Sequence, residues 1–547
     1  MNRPRFSVLT TVYDPDPDHL RACLASVDAQ TDGDWEHVVV DDASSDAAVV
    51  TALRDAAAEP RRTVIRRPVN GGIVAASNVA LAAAGGEYVV LLDHDDVLAA
   101  NALEALREAI DRTGRDVLYS DHDVLRADGR RGVPIYKPAY SPERLRSHNY
   151  ITHLVAARRA AVNSIGGFRP GFDGAQDHDL LLRLAERFGP FEHVPQILLH
   201  WRQAPASVAS DIANKPDATE HGRRAVGEHL QRVGVDAIVD HGQYPGIYRI
   251  RRALRGRPTV SVVVPTRGSR GRAWGVERIH VHHAIASLLA ADGGCELEVV
   301  AVIDRGTDPV VERGLRRVAG DALVVVEYDA PFNFADKVNT GVAASSGEYV
   351  LILNDDTELI APDSVAELVG LAQQDDVGMV GAKLLYDDGR LQHAGHVYNH
   401  IATHAMIGWW GGHPGPHRLL AVERECAGVT AAAALVPRAV HDDVGGMNTD
   451  FAVNYNDVDY SLKIRMSGRR ILWTPHACWY HFEHGSDPNP VLASEIAALD
   501  AAWGDWLHRD PYYNPNLAEH RCDWLERPLQ SGWPTYEILD DGEVAWA

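Results

Sequence analysis

A surplus of basic charge, paired cysteines and long apolar runs are all missing from this 547-residue chain. The formal net charge is −23. Binding a nucleic-acid backbone needs a basic face, so the balance argues against a nucleic-acid partner. A charged small molecule can still be held locally through a metal ion. The five cysteines, Cys23, Cys295, Cys426, Cys478 and Cys522, are scattered and include no CxxC pair. They make neither a disulfide framework nor a zinc-finger spacing, and they fit a reducing cytoplasm. Cys23 falls at helical spacing with Leu20, Leu24 and Val27, which predicts a packing role. The longest apolar stretch, Ala427 to Val436, is well short of the ~20 residues a membrane helix needs. Phe6–Val12 is short and reads as a first strand, not a leader. The expectation is a soluble cytoplasmic protein, with peripheral contact at the inner face of the cell membrane left open.

What is present is an alternation of apolar runs and helical patterns, as in an α/β domain. Phe6–Val12, Trp35–Val40, Thr63–Arg66 and Tyr88–Leu92 read as strands. Asp18–Gln30, Asp46–Ala58 and Ala75–Ala84 read as helices. The order then recurs, with Val260–Val264, Leu297–Ile303, Leu323–Tyr328 and Tyr349–Leu353 as strands.

The recurrence can be followed residue by residue. Tyr88–Leu92 runs into Asp93-His94-Asp95, and Tyr349–Leu353 runs into Asn354-Asp355-Asp356, 261 positions later (93 to 354). Ser26 matches Ser287, Asn78 matches Asn339, and Asp95 matches Asp356 at the same offset. Further on, Gln176-Asp-His-Asp179 matches Asn456-Asp-Val-Asp459, and His200 matches His481. The offset there has grown, which predicts an insertion of roughly twenty residues in the second copy, within Leu384–Val422. The implied organisation is a domain over 1–248, a basic linker over 249–258, a second domain over 259–510 and a tail over 511–547. The tail is rich in Trp, Tyr and Pro and carries no readable motif.

Three acidic features recur in each copy. One acid follows the second strand: Asp41-Asp42, and Asp304. A cluster follows the fourth strand, where hard cations could find oxygen ligands. A carboxylate heads a later helical pattern: Asp177 and Asp457. In an open α/β sheet, groups at the carboxyl ends of strands converge on one crevice. There one acid could orient a nucleotide, a second hold a metal at a diphosphate, and a third remove a proton. Each feature also has a plainer reading. Acids after strands serve as turns or caps, Asp177 and Asp457 could cap their helices, and His200 and His481 could be ordinary strand-end histidines. Asn78 and Asn339 read as structural.

Ser7-Val-Leu-Thr-Thr-Val-Tyr13, Val39-Val-Asp-Asp-Ala-Ser-Ser-Asp46, Leu91-Leu-Asp-His-Asp-Asp96 and Gln176-Asp-His-Asp-Leu180 resemble motifs of the inverting GT-A glycosyltransferases of family 2. In the second half, Phe332-Asn-Phe, Val377–Tyr386, Gln392-His-Ala-Gly395 and Asn456–Asp459 are similar to bacterial enzymes that build O-antigen, rhamnan or other cell-surface polysaccharides. Leu199-His-Trp-Arg202 is similar to the first domain of such tandem enzymes. The resemblance implies two tandem GT-A domains, with a UDP-, dTDP- or GDP-sugar as donor and a glycan or lipid-linked glycan as acceptor. It implies that Asp41, Asp42, Asp93, Asp304, Asn354 and Asp355 face the donor. Asp95 and Asp356 would ligate Mn²⁺ or Mg²⁺, with His200 and His481 completing the metal or diphosphate site. Asp177 and Asp457 would be the bases. Trp409-Trp410, set among glycines, is read as a stacking platform for an acceptor sugar or as a buried pair.

Two alternatives stand beside this reading. One domain could be a carbohydrate-binding or scaffolding module, and Asn354 makes the second copy the first suspect. A sugar nucleotidylyltransferase would instead show a Gly-rich basic phosphate loop near a first strand. Pro265-Thr-Arg-Gly-Ser-Arg270 comes closest to that pattern.

Overall fold

The computed structural model describes residues 3–202, 216–291, 293–400, 402–482, 491, 493–527, 536–538 and 544–546. The chain forms two compact units. The first holds Met1–Ala253 and, from much later in the sequence, His417–Glu425; the second holds Leu254–Pro416 and Cys426–Ala547.

The first unit is built on a mixed sheet. Its central strands run in the order Arg62–Arg66, Trp35–Asp41, Phe6–Val12, Tyr88–Leu91, all parallel. The sheet continues through Val155–Arg158, Val117–Leu125, Glu192–Arg202 and Val97–Leu98. Val8, Val38, Val39, Val40 and Val90 are buried, as expected where helices cover both faces of a parallel sheet. Helix starts follow local chemistry. Pro17 opens the helix Pro17–Asp28, and the Asp16 carboxylate accepts from the Asp18 and His19 amides. Asp46 does the same for Ala47–Ala56. Cys23 is buried in the core with Phe6, Val8 and Val27.

The second unit repeats the sheet strand for strand. The order is Leu323–Tyr328, Glu296–Asp304, Thr259–Thr266, Tyr349–Leu353, Ala433–Pro437, Val377–Leu385, Arg470–His481 and Thr357–Leu359. The repeat extends to single hydrogen bonds. Ser7 Oγ donates to Glu36 and accepts from the Gly86 amide; Ser261 Oγ donates to Glu298 and accepts from the Gly347 amide.

Two differences from the sequence reading stand out. The stretch expected as a linker contains a strand, Tyr248–Arg252, paired antiparallel with Ala237–His241, because Tyr248 and Ile250 alternate inward on a half-buried ribbon. After the first strand of the second copy comes the hairpin Arg270–Ala273/Val276–Ile279 before the helix His280–Leu289 begins. The Gly-rich basic stretch therefore leads into a hairpin, not onto the helix N-terminus a phosphate loop needs.

The later insertion holds the hairpin His396–Tyr398/Ala402–His404 and the segment that joins the first unit. That segment is anchored by a buried network. Arg252 bridges Glu143 and Glu423, at 2.8 Å to the latter, and Ser141 donates to Glu425. Of the tail, residues 511–527 pack on the second unit: the Cys522 carbonyl accepts the Met406 amide at 2.9 Å, and Asn399 donates to the Ala518 carbonyl at 2.8 Å. Its residues 528–535, 539–543 and 547 lie outside the described residues. Among the described residues no helix is long and apolar enough to cross a membrane.

Candidate active site

In each unit the acids lie where the strand order places them, at the carboxyl ends of the parallel strands. Asp41 is the last residue of its strand and is buried. It accepts from Arg66 at 2.6 Å and from the Ser44 amide at 2.8 Å. Asp42 holds the turn ahead of the third helix, accepting from Arg67 and from the Gly71 and Gly72 amides. The counterpart Asp304 is also the last residue of its strand, but its cation comes from elsewhere. Lys337, in the helix Phe334–Ala343, reaches it at 2.6 Å and is itself fully buried. Asn333 of the Phe-Asn-Phe motif caps that helix, accepting the Asp336 amide at 3.0 Å.

The acidic turn after the fourth strand differs between the units. In the first, Asp93, Asp96 and His153 offer ligand atoms that lie within 4.8 Å of one another. Asp96 accepts the Arg202 amide through one oxygen, at 2.8 Å; its other oxygen is buried and, among the described residues, has no hydrogen-bond partner. Burial and the neighbouring charges of Asp93 and Asp95 push the Asp96 carboxyl well up. An orphaned buried carboxylate oxygen beside a second acid and an imidazole fits a divalent cation. Asp95 is half-buried in the same turn and lies outside this group. His200 also stands apart: its Nδ1 is 2.6 Å from Asp123.

In the second unit the residues expected at the metal do meet. His481 Nε2 lies 3.0 Å from Asp356 and 3.2 Å from the Asn354 side-chain Nδ2, and Gln392 fixes its other nitrogen at 2.7 Å. Burial works to raise the Asp356 carboxyl, but the charge and hydrogen bond of His481 hold it below the ordinary value. Asp355 is pushed up to about 6 by burial and by Asp356, while Thr266 donates to it at 2.5 Å.

Asp177 is the second residue of the helix Gln176–Phe188, and Asp457 the second of Asn456–Met466. Neither is a cap: Ala175 and Tyr455 occupy the cap positions. Asn149 donates to Asp177 at 2.9 Å, and the His178 amide donates to its other oxygen at 2.8 Å. Asp457 accepts the Ala431 amide at 3.3 Å and has His396 Nε2 at 3.9 Å. Both carboxylates lie in the first turn of their helices.

Beside Asp457 the inserted hairpin gathers His393, His396 and His404 within metal-ligand distance of each other. The tautomer runs against a cation there. The Gly395 and Thr430 amides both donate to His393 Nε2, so its proton resides on Nδ1, 2.9 Å from His404 Nδ1. His393 thus donates to His404, and both rings belong to a fixed hydrogen-bonded pair. Trp410 is 64% exposed, and Trp409 stacks edge-on against His413 in the same loop.

Glycosyl transferase family 2, as a sequence family, matches residues 7–165 and again 261–445. The chain belongs to glycosyltransferase family 2. Its two units are tandem GT-A domains of Rossmann-like α/β architecture. The chain is 38% identical over 542 residues to uncharacterized protein y4gI of Sinorhizobium fredii (strain NBRC 101917 / NGR234), covering 96% of this chain and 59% of that protein. It is 36% identical over 530 residues to O-antigen biosynthesis protein RfbC of Myxococcus xanthus, covering 94% of this chain and 40% of that protein. The chain therefore spans less than two thirds of the length of either relative. Among solved structures, it is similar to S. aureus TarS 1–349 at 22% identity and a TM-score of 0.34, covering 41% of this chain and 65% of that one.

Three groups at the candidate site are not legible in the sequence. His153 and Asn149 lie on a connection with no helical or strand period, and Lys337 looks like an ordinary surface residue of an amphipathic helix. Only His153 left a trace, as a histidine following the apolar Tyr150-Ile151.

Proposed function

We propose that each unit transfers a sugar from a nucleoside-diphosphate sugar to a hydroxyl of a growing cell-surface glycan, inverting the anomeric centre. The observation that carries this reading is the paired placement of Asp177 and Asp457. Both stand at the second position of a helix, held by a neighbouring donor and not used as caps. A carboxylate so placed accepts the proton of the acceptor hydroxyl as its oxygen attacks the anomeric carbon. The bond from that carbon to the diphosphate breaks on the opposite face. Such a base contributes about 10²–10⁴-fold.

Asp41 and Asp304 orient the donor nucleotide from the ends of their strands, with Arg66 and Lys337 setting their carboxylates. Asp93, Asp96 and His153 would hold Mn²⁺ or Mg²⁺ in the first unit, with Asp95 in the same turn; Asp356, His481 and the Asn354 amide would hold it in the second. When bound, the cation stabilises charge on the departing diphosphate. The Trp409-Trp410 loop offers an aromatic face to an acceptor. The likeness to an O-antigen biosynthesis protein supports a polysaccharide acceptor.

The test is a screen of UDP-, dTDP- and GDP-sugars for transfer by the full chain, with Mn²⁺ and with EDTA. Transfer from one of them that stops in EDTA is expected. Release of pyrophosphate from a nucleoside triphosphate and a sugar 1-phosphate, with no transfer from any nucleotide sugar, would make it a nucleotidylyltransferase.

A further inference from the structure

The first unit contains a cavity of about 250 Å³ beside its base. Asn149, which holds Asp177, lines it, and so does His153, which faces Asp93. The remaining wall is rich in nitrogen: His122, Lys137, Arg144, His148, His417 and Arg418. No carboxylate is among the lining residues. Lys137 is spent on the scaffold, donating to the carbonyls of Ser120, Ile151 and His153, and so fixing the loop that carries His153.

The two guanidiniums are different. Arg144 is only 4% exposed. Its Nη2 donates to the His417 carbonyl at 3.0 Å, and its buried Nε has no partner among the described residues. Arg418 donates to the Pro245 carbonyl at 2.9 Å. Among the described residues neither has a carboxylate within ion-pair distance. His122 Nδ1 and His148 Nδ1 are likewise buried and, among the described residues, without a partner. A buried guanidinium without a counter-charge is costly, and a native fold keeps one where a ligand supplies the anion. Arg144 is lowered by burial to about 10, so it still carries its charge at neutral pH. Trp201 and Tyr136 add aromatic faces suited to a pyranose ring.

Resting on the glycosyltransferase reading, we propose that this cavity selects an anionic sugar, one bearing a carboxylate or a phosphate ester, which Arg144 and Arg418 bind next to Asp177. Two of the residues that make it, His417 and Arg418, come from the long insertion of the second copy. The preference belongs to the first unit alone. The matching side of Asp457 carries His396 and the His393–His404 pair in place of a guanidinium.

The experiment titrates the full chain with glucuronate, glucose 6-phosphate and glucose, following tryptophan fluorescence and calorimetric heat. UDP and GDP with Mn²⁺ are titrated in parallel. One or both anionic sugars should bind at least tenfold tighter than glucose, and which one binds identifies the anion. Arg144→Gln and Arg418→Gln should each remove most of that difference while leaving nucleotide binding in place. Arg418→Gln carries the test alone if Arg144→Gln does not fold. Equal binding of all three sugars, or anion binding that ignores both substitutions, overturns the proposal. So does a nucleotide affinity that falls in step with the anion's, which would assign the arginines to the donor diphosphate. Nucleotide binding without anion selectivity sinks the cavity's role alone; loss of both in the unaltered chain sinks the glycosyltransferase reading.

Discussion

Asn78 grips the backbone of Phe168 through both ends of its amide, donating to the carbonyl at 2.8 Å and accepting from the amide at 3.0 Å. Asn339 does the same to Met447, at 2.8 and 2.9 Å. In each case the preceding glycine, Gly167 or Gly446, has a φ of +67°. A Cβ added there would lie 2.7 Å from the asparagine oxygen. The side chain thus clamps a left-handed turn to the third helix of each sheet, just ahead of the helix that carries the proposed base.

Asn78→Ala and Asn339→Ala should each destabilise their own unit by about 1–3 kcal/mol, because a buried donor and acceptor lose their partner together. Urea unfolding followed by unit-specific hydrogen exchange would resolve which unit loosens. A loss below a few tenths of a kcal/mol, or one spread over both units, would contradict the clamp.

The fold was legible because its signals are local or periodic. Val38–Val40 and Val350–Leu353 are apolar runs that only a doubly covered sheet buries, and Asp16 and Asp46 announce helix starts. The repeat then multiplied each signal by two. The hairpin Arg270–Ile279 was not legible, because it interrupts the copy where no counterpart exists to align with it. Nor was the return of His417–Glu425 to the first unit. That contact depends on the buried Arg252–Glu423 and Ser141–Glu425 pairs, whose partners are more than 170 positions apart.

Asp177→Asn and Asp457→Asn are nearly isosteric, and nucleotide binding should survive them. Each should slow its own transfer by roughly 10²–10⁴ and leave the other unit working when its acceptor is supplied. Single-turnover transfer with each acceptor reads both effects. Near-normal turnover in either variant, or donor affinity lost in proportion to rate, would remove the base role. If Asp177→Asn silenced both transfers despite a supplied intermediate, the units would not be independent.

The candidate site was legible in its acids and not in its partners. Asp41, Asp304, Asp177 and Asp457 follow from strand ends and helix starts. His200 was paired with His481 by register alone, yet the two rings have different neighbours. Asp123 stands 2.6 Å from His200, whereas Gln392 and Asp356 flank His481. Matching position in a repeat fixes the backbone of a histidine, not the acid its ring meets.

That difference predicts distinct metal ligands. His153→Ala should weaken Mn²⁺ binding in the first unit by about tenfold or more, and His481→Ala should do so in the second. His200→Ala should leave both affinities unchanged. Calorimetric titration of the full chain should lose one class of site in each of the first two variants and none in the third. A metal site that persists in His153→Ala but vanishes in His200→Ala would return the ligand role to His200.

Acid should destabilise the chain through its buried neutral histidines. Burial holds His396 and His441 down at about 4. Unfolded, each would take up a proton near 6.5. Their contribution is therefore complete above pH 6.5 and is lost as pH falls from 6.5 towards 4, below which it changes no further. His441 is the cleanest probe. It lies away from the proposed metal and base, packs with its Nδ1 2.8 Å from the Tyr460 hydroxyl, and faces Asp442, Arg438 and Lys463. Each fully buried histidine of this kind is worth on the order of 3 kcal/mol across that window. Carboxylates also lose their stabilising pairs in acid, so the total slope alone does not identify the histidine. His441→Gln keeps an amide beside Tyr460 and removes the titration. Urea midpoints measured at pH 7.5, 6, 5 and 4 should fall less steeply in His441→Gln than in the unaltered chain, with the gap opening between pH 6.5 and 4. Parallel curves over that range would mean that His441 does not sit neutral and buried in the folded protein.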